Sequence, residues 1–309
     1  MKIRKAWFWP ILISLRPGQW VKNALVFTAI IFNGQLFNPY LFIRSLWGFF
    51  IFCFLSSASY LVNDLIDLRY DRLHSQKKFR PIANGILKPL AAIEAAILLA
   101  LVGLIFSLLL NYGLFLLGLL FIIIHILYSS ILKKFAVVDI LAIASSFIIR
   151  TFAGEVLTGF HVPIWLMMTV VSLSLFIASG KRRSELILKG AKTRPALLSY
   201  RTRLLDFYTS TFANASLIFY ALFAFFTEPP KFSEPLTRFL LINFPKALGR
   251  KWLMAATIPF VIFGIMRYAQ LIYEKHEGET PEKLLTSDIP LSLTVMGWGI
   301  MVILIIYVV

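Results

Sequence analysis

The chain has 309 residues, 59% of them hydrophobic, with mean hydropathy +0.80 and 31 Lys and Arg against 15 Asp and Glu. This composition excludes a soluble globular domain and predicts an all-α, polytopic membrane helical bundle. The net charge of +16 lies in short loops between apolar runs, so membrane headgroups and phosphorylated substrates are expected as partners, and nucleic acid is not. The single cysteine, Cys53, sits in an apolar run, reads as a packing residue and excludes a disulfide framework. The basic start, Met1 to Lys5, is not followed by a small-residue cleavage site, so no removable signal peptide is expected.

Length and hydropathy predict about nine transmembrane helices, at 21–37, 41–62, 90–110, 113–132, 136–158, 162–179, 207–227, 252–273 and 290–309. Asn33-Gly34 interrupts the first. With the N-terminus in the cytoplasm, the inner stretches hold most of the Lys and Arg, as the positive-inside rule requires. The exception is 228–251, whose Pro-rich start and apolar middle predict an interfacial segment. No soluble domain can be cut out. The expectation is one domain over 1–309, in the cell (inner) membrane, with two long polar cytoplasmic segments at 63–89 and 180–206.

The first polar segment begins Asn63-Asp64-Leu-Ile-Asp67-Leu-Arg-Tyr-Asp71. On a continuous helix at about 100° per residue, Asn63, Asp64, Asp67 and Asp71 share a face about 100° wide, which Ser56 and Tyr60 continue into the membrane. Carboxylates crowded on one face repel one another unless a cation sits among them, and hard oxygen ligands with room for water and phosphate suit Mg²⁺. A basic loop with Lys77 and Arg80 follows at once. Acids followed by bases read as a metal–diphosphate site: Asn63, Asp64, Asp67 and Asp71 for the metal, the loop for phosphate oxygens. The plainer alternative is a solvated acidic helix end.

Three further constellations reach the same end of the bundle. Arg16-Pro-Gly-Gln-Trp20-Val-Lys22-Asn23 makes a turn with an interfacial Trp, and Lys22 can reach a phosphate; its alternative is an interfacial anchor. Tyr128 and Lys133 are candidates for a phosphate pocket, and Asp139, one turn into the fifth span, is a buried carboxylate able to partner a lysine or a metal-bound water. Gly180-Lys181-Arg182-Arg183-Ser184-Glu185-Leu186 puts three cations at a span end, with Glu185 expected to orient Arg182 by a salt bridge. A topology signal is the alternative for these lysines and arginines. His125 reads as a bundle-core residue. Arg150 and Glu155 are expected to pair across helix turns or to snorkel.

The acidic motif at the end of the second span resembles the first aspartate motif of the UbiA-type intramembrane prenyltransferase superfamily, which implies a UbiA-like bundle using Mg²⁺. The superfamily's second Asp-rich motif is missing; Lys181-Arg182-Arg183 and, further on, Arg194-Pro195 stand there instead. That combination, together with 16–23, 63–83, 128–139, 194–200 and 281–288, resembles the decaprenyl-phosphate phosphoribosyltransferase branch. The resemblance implies transfer of 5-phosphoribosyl from phosphoribosyl diphosphate to a polyprenyl phosphate. Lys77 and Arg80 would then take diphosphate or 5-phosphate oxygens, and Lys22, Lys133, Arg182 and Arg183 the lipid phosphate or the second substrate phosphate. The alternatives are a prenyltransferase using prenyl diphosphate and, further off, a lipid-phosphate transporter. Homo-oligomerisation is left open.

Overall fold

A computed structural model describes residues 3–73, 77–189, 195–227, 253–275, 278 and 280–308, all helical apart from short connections. Eight helical segments in it are long and apolar enough to cross a membrane. The predicted interfacial segment at 228–251 lies outside the described residues, as does Arg194.

Helix α1 covers Ile3–Leu15 and leads into a 3₁₀ helix, Pro17–Phe27, and the short α2, Thr28–Phe32. The predicted first span is therefore a mixed helix that ends at the Asn33-Gly34 break. At about 2 Å per residue for 3₁₀ and 1.5 Å for α, its length is about 30 Å, enough for a bilayer core. Helix α3 (Pro39–Ile66) starts where Asn38 accepts from the backbone N–H groups of Tyr40 and Leu41, with Pro39 at its first position. It stops at Asp67, and α4 (Leu68–Leu73) follows.

Helices α5 (Pro89–Leu110) and α6 (Tyr112–Ser130) form a hairpin around Asn111, whose side chain accepts from Gly113 and Leu114 N–H and caps α6. Next come α7 (Val138–Thr158), α8 (Ile164–Lys189), α9 (Pro195–Leu198) and α10 (Thr202–Phe226). A 3₁₀ turn at Met254–Thr257 opens α11 (Ile258–Tyr273); α12 (Pro281–Ser287) and α13 (Ile289–Ile303) complete the bundle. Helix α8 stays helical to Lys189, so the basic motif 180–186 forms its last turns and is not a loop.

About half of the apolar stretch of each of α3, α7 and α8 is buried (56%, 50% and 50%), against 17% and 22% for α5 and α6. These three central helices carry Asn63 and Asp64, Asp139, and Lys181 to Arg183. In lipid, apolar side chains gain little by meeting one another, so association relies on close fit and interhelical hydrogen bonds. Gly154 on α7 is the clearest case: a Cβ there would lie 2.3 Å from the Val26 carbonyl oxygen, so only glycine lets α7 press against the 3₁₀ helix. Gly180 lies against the end of the Ile272 side chain of α11, a contact that a rotamer change can relieve. Phe52 and Phe121, both fully buried, meet edge to face at 5.4 Å between α3 and α6.

Candidate functional site

Asp64 and Asp71 are 3% and 2% exposed, so the acidic motif is not a solvated helix end. Asp64 and Asp71 converge on one cation, whereas Asp67, at the junction of α3 and α4, meets another. Arg80 Nη1 stands between Asp64 Oδ1 at 2.8 Å and Asp71 Oδ2 at 2.7 Å, a single cationic nitrogen shared by two buried carboxylates. Asp67 is paired separately with Lys133 Nζ at 2.5 Å. Asn63 accepts from Ser129 Oγ at 3.2 Å, tying α3 to α6. Burial pushes the Asp71 carboxyl up, and Arg80 and then Lys77 offset this only in part, so its pKa is raised.

A third cation reaches this cluster. Arg16 adopts a left-handed backbone (φ 54°, ψ 62°), an unfavourable conformation for a side chain of its size, at the head of the 3₁₀ helix. It places Nη2 2.5 Å from Asp64 Oδ1 and the guanidinium 5.0 Å above the Tyr60 ring. The sequence reading singled out the Arg16 motif for its lysine and its turn, and missed this arginine.

No group of three His, Cys, Asp or Glu side chains is assembled for a metal among the described residues. The donor chemistry nevertheless fits Mg²⁺. Two buried carboxylates already enclose a cation position, occupied by Arg80, and Mg²⁺ characteristically takes one or two carboxylates and completes its shell with water and phosphate oxygens.

The basic motif splits by helical direction. Arg182 is fully buried: Nε lies 2.5 Å from Asp139 Oδ2 with the N–H off the bond axis, Nη1 donates to Glu185, and Nη2 donates to Tyr128 Oη at 2.7 Å. Asp139 also accepts from the Tyr200 hydroxyl at 2.8 Å, and that hydroxyl accepts from the Val137 N–H at 2.5 Å, where φ is again positive (68°, with ψ −50°). Burial, the largest influence, raises the Tyr200 pKa. Arg182 and Asp139 thus position Tyr128, and Glu185 orients Arg182 as expected. Arg183 points elsewhere, to Asp206 at 2.6 Å, the Ile272 carbonyl and the face of Tyr273 at 3.9 Å. In this arrangement it braces α8 against α10 and α11.

Lys181 differs from both arginines. Among the described residues it makes no hydrogen bond and no ion pair, although Glu185, Lys22 and Tyr128 are within electrostatic range. Lys22 lies 3.2 Å from Glu282 Oε2 and donates to Gln19 Oε1 at 2.5 Å, while Gln19 Nε2 donates to Glu282 Oε1. Burial would raise the Glu282 carboxyl, but Lys22 and then Lys181 outweigh it and hold the pKa below the ordinary value. The sequence marked 281–288 only as part of the resemblance and gave Glu282 no role, because it lies 260 residues away from the lysine it meets.

Deeper in the bundle Arg150 does not pair with Glu155. Glu155 instead accepts from the Val162 N–H and lies 3.3 Å from His161. Arg150 turns inward, donating to Asn23 Oδ1 at 2.6 Å, Ser146 O at 2.5 Å and Ser56 Oγ at 3.2 Å, and lies 4.8 Å from the Phe121 ring. His125 bonds the Phe121 carbonyl, a core role, and Cys53 is a buried packing residue beside Asn23.

The model of the UbiA prenyltransferase family matches residues 24–287. The chain is 33% identical over 302 residues to the decaprenyl-phosphate phosphoribosyltransferase of Corynebacterium glutamicum, covering 96% of this chain and 86% of the relative. The enzyme of the same name from Mycolicibacterium smegmatis is 33% identical over 295 residues, covering 93% and 89%. A UbiA homolog from Archaeoglobus fulgidus, solved bound to DMAPP and Mg²⁺, shares the fold with TM-score 0.66 at 19% identity over 96% of each chain. Eight membrane-length helices, two buried carboxylates around one cation position and a match over most of the length agree: this is a multi-pass membrane protein of the UbiA prenyltransferase family.

Proposed function

We propose that the protein transfers the 5-phosphoribosyl group of phosphoribosyl diphosphate to a polyprenyl phosphate, with Mg²⁺, at the cytoplasmic face of the inner membrane. The observation that carries this reading is a cation position between two buried carboxylates, Asp64 and Asp71, beside a separate set of lysines, Lys22 and Lys181, where a prenyl-diphosphate enzyme would need a second acidic motif.

In the reaction the C1–O bond to diphosphate breaks, with its electron pair leaving on diphosphate, and a bond forms from C1 to an oxygen of the lipid phosphate. The acceptor is already an anion, so no base has to remove a proton. Charge builds on the leaving diphosphate, and preorganised cations stabilise it most. Mg²⁺ held by Asp64 and Asp71, with Asp67 and Asn63 beside them, would neutralise that charge. Arg80, freed from the two carboxylates, and Arg16, Lys77 and Lys133 would take the remaining diphosphate oxygens. Lys22, Lys181 and Tyr128 face the second phosphate. Arg182 and Asp139 hold Tyr128 in place, and Arg183 keeps α8 in register.

The test uses the full chain in lipid nanodiscs. Diphosphate release from phosphoribosyl diphosphate should require both Mg²⁺ and polyprenyl phosphate, and mass spectrometry should find the lipid phosphate heavier by one phosphoribosyl group. Consumption of a prenyl diphosphate instead, with phosphoribosyl diphosphate untouched, would overturn the assignment.

A further inference from the structure

A site that takes a pentose must do something a prenyl site need not: it must hydrogen-bond the sugar hydroxyls. Three polar groups near Lys22 have unused capacity for such a ligand. Glu282 is largely buried, its side chain 8% exposed, and each of its oxygens accepts one donor, Gln19 on Oε1 and Lys22 on Oε2. A carboxylate has about four acceptor positions; its own backbone N–H takes a third, so about one remains. Tyr268 of α11 is 7% exposed, and its hydroxyl has no hydrogen-bond partner although it lies within electrostatic range of Glu282. Lys181 makes no ion pair or hydrogen bond among the described residues and is in range of both Glu282 and Lys22. A buried phenol without a partner is costly and rare, and this one packs in the same cluster as Leu284 of α12, the helix that carries Glu282.

The position is right as well as the chemistry. In a 3₁₀ helix residues three apart eclipse one another, so Gln19 and Lys22 stand in one row. Arg16, the left-handed residue just before this helix, reaches Asp64. At about 2 Å rise per residue, the helix advances about 10 Å from Pro17 to Lys22, from the side of the carboxylates proposed for Mg²⁺ to Glu282. A ribose lies between its own diphosphate and 5-phosphate, so its ring would pass along this row.

Resting on the phosphoribosyl reading above, we infer that Glu282 accepts the ribose 2-hydroxyl of the donor, with the Tyr268 hydroxyl nearby for the 3-hydroxyl, and so selects a ribosyl over a deoxyribosyl donor. Gln19 and Lys22 hold the carboxylate in position. The absent second acidic motif is, on this view, not replaced by cations alone: α12 supplies a carboxylate whose task is the sugar.

The experiment compares 5-phosphoribosyl diphosphate with its 2-deoxy analogue as donors for the full-length protein and for Glu282→Gln and Glu282→Asp. The analogue's higher intrinsic reactivity affects all three proteins equally and cancels in the comparison. A charge-assisted hydrogen bond corresponds to about 10-fold or more in kcat/KM, so the ribosyl-to-deoxyribosyl preference should fall about 10-fold in Glu282→Gln. Glu282→Asp keeps the charge but withdraws the carboxylate, and should lose part of the preference; it decides the matter if the glutamine variant does not reach the membrane. Equal loss for both donors would make Glu282 a positioning residue for lysines and overturn the inference, as would a wild-type protein indifferent to the hydroxyl. Failure of the wild type with either donor would count against the functional reading itself.

Discussion

Arg80 is the residue whose geometry says most about the acidic motif. One nitrogen satisfies two carboxylates that are otherwise buried and mutually repulsive. Arg80→Gln should therefore destabilise the metal-free protein by about 2 kcal/mol, less than the roughly 3–5 kcal/mol of breaking a fully buried pair, because the Arg80 side chain is 25% exposed. If the position between Asp64 and Asp71 accepts Mg²⁺, added Mg²⁺ should raise the melting temperature of the variant more than that of the wild type, since the ion takes over the neutralising role. Equal shifts in a thermal-melt series would remove the metal from that position. The acids and the following bases were legible from spacing, but their pairing was not. A helical wheel places the acids relative to one another, and their cations, Arg16, Arg80 and Lys133, come from other segments.

At the scale of elements, the 3₁₀ helix Pro17–Phe27 decides which side chains face the site. An α-helix would have spread Gln19 and Lys22 over about 60° of arc, whereas the tighter winding aligns them. That helix is held from behind by α7, where Gly154 leaves no room for a methyl group against the Val26 carbonyl. Gly154→Ala should push the two elements apart at a cost of about 1–3 kcal/mol. Because the displaced helix carries Arg16, Gln19 and Lys22, turnover should fall further than stability alone requires. Wild-type turnover at the same melting temperature would show that the close approach has no bearing on the site. Hydropathy marked this stretch as a membrane-crossing segment, as its length permits, but cannot distinguish 3₁₀ from α winding.

For the whole molecule, the proposed orientation puts the candidate site on the side of the cytoplasmic donor. Tyr70 is exposed next to Asp71, and His161 is exposed in the connection between α7 and α8 at the opposite end of both helices. In a Cys53→Ser background, Tyr70→Cys should react with an impermeant maleimide only after the membrane is opened, and His161→Cys should react in intact cells. The reverse pattern would invert the bundle and move the site away from its proposed donor.

Composition and periodicity by themselves determined the class, the acidic and basic motifs and the approximate helical spans, although α8 runs ten residues past its predicted end. These follow from local chemistry: a bilayer demands long apolar helices, and charged residues in such a chain can stand only at the ends or in the interior of the bundle. Only the tertiary structure decided the partners. Which cation neutralises which carboxylate, that Arg182 is enclosed by Asp139, Glu185 and Tyr128 while Arg183 braces a neighbouring helix, and that Glu282 meets Lys22 all depend on how distant helices pack. Residues 100° apart on one helix share a sequence motif yet face different neighbours, and residues 260 apart in sequence share a site because close packing of small side chains brings their helices together.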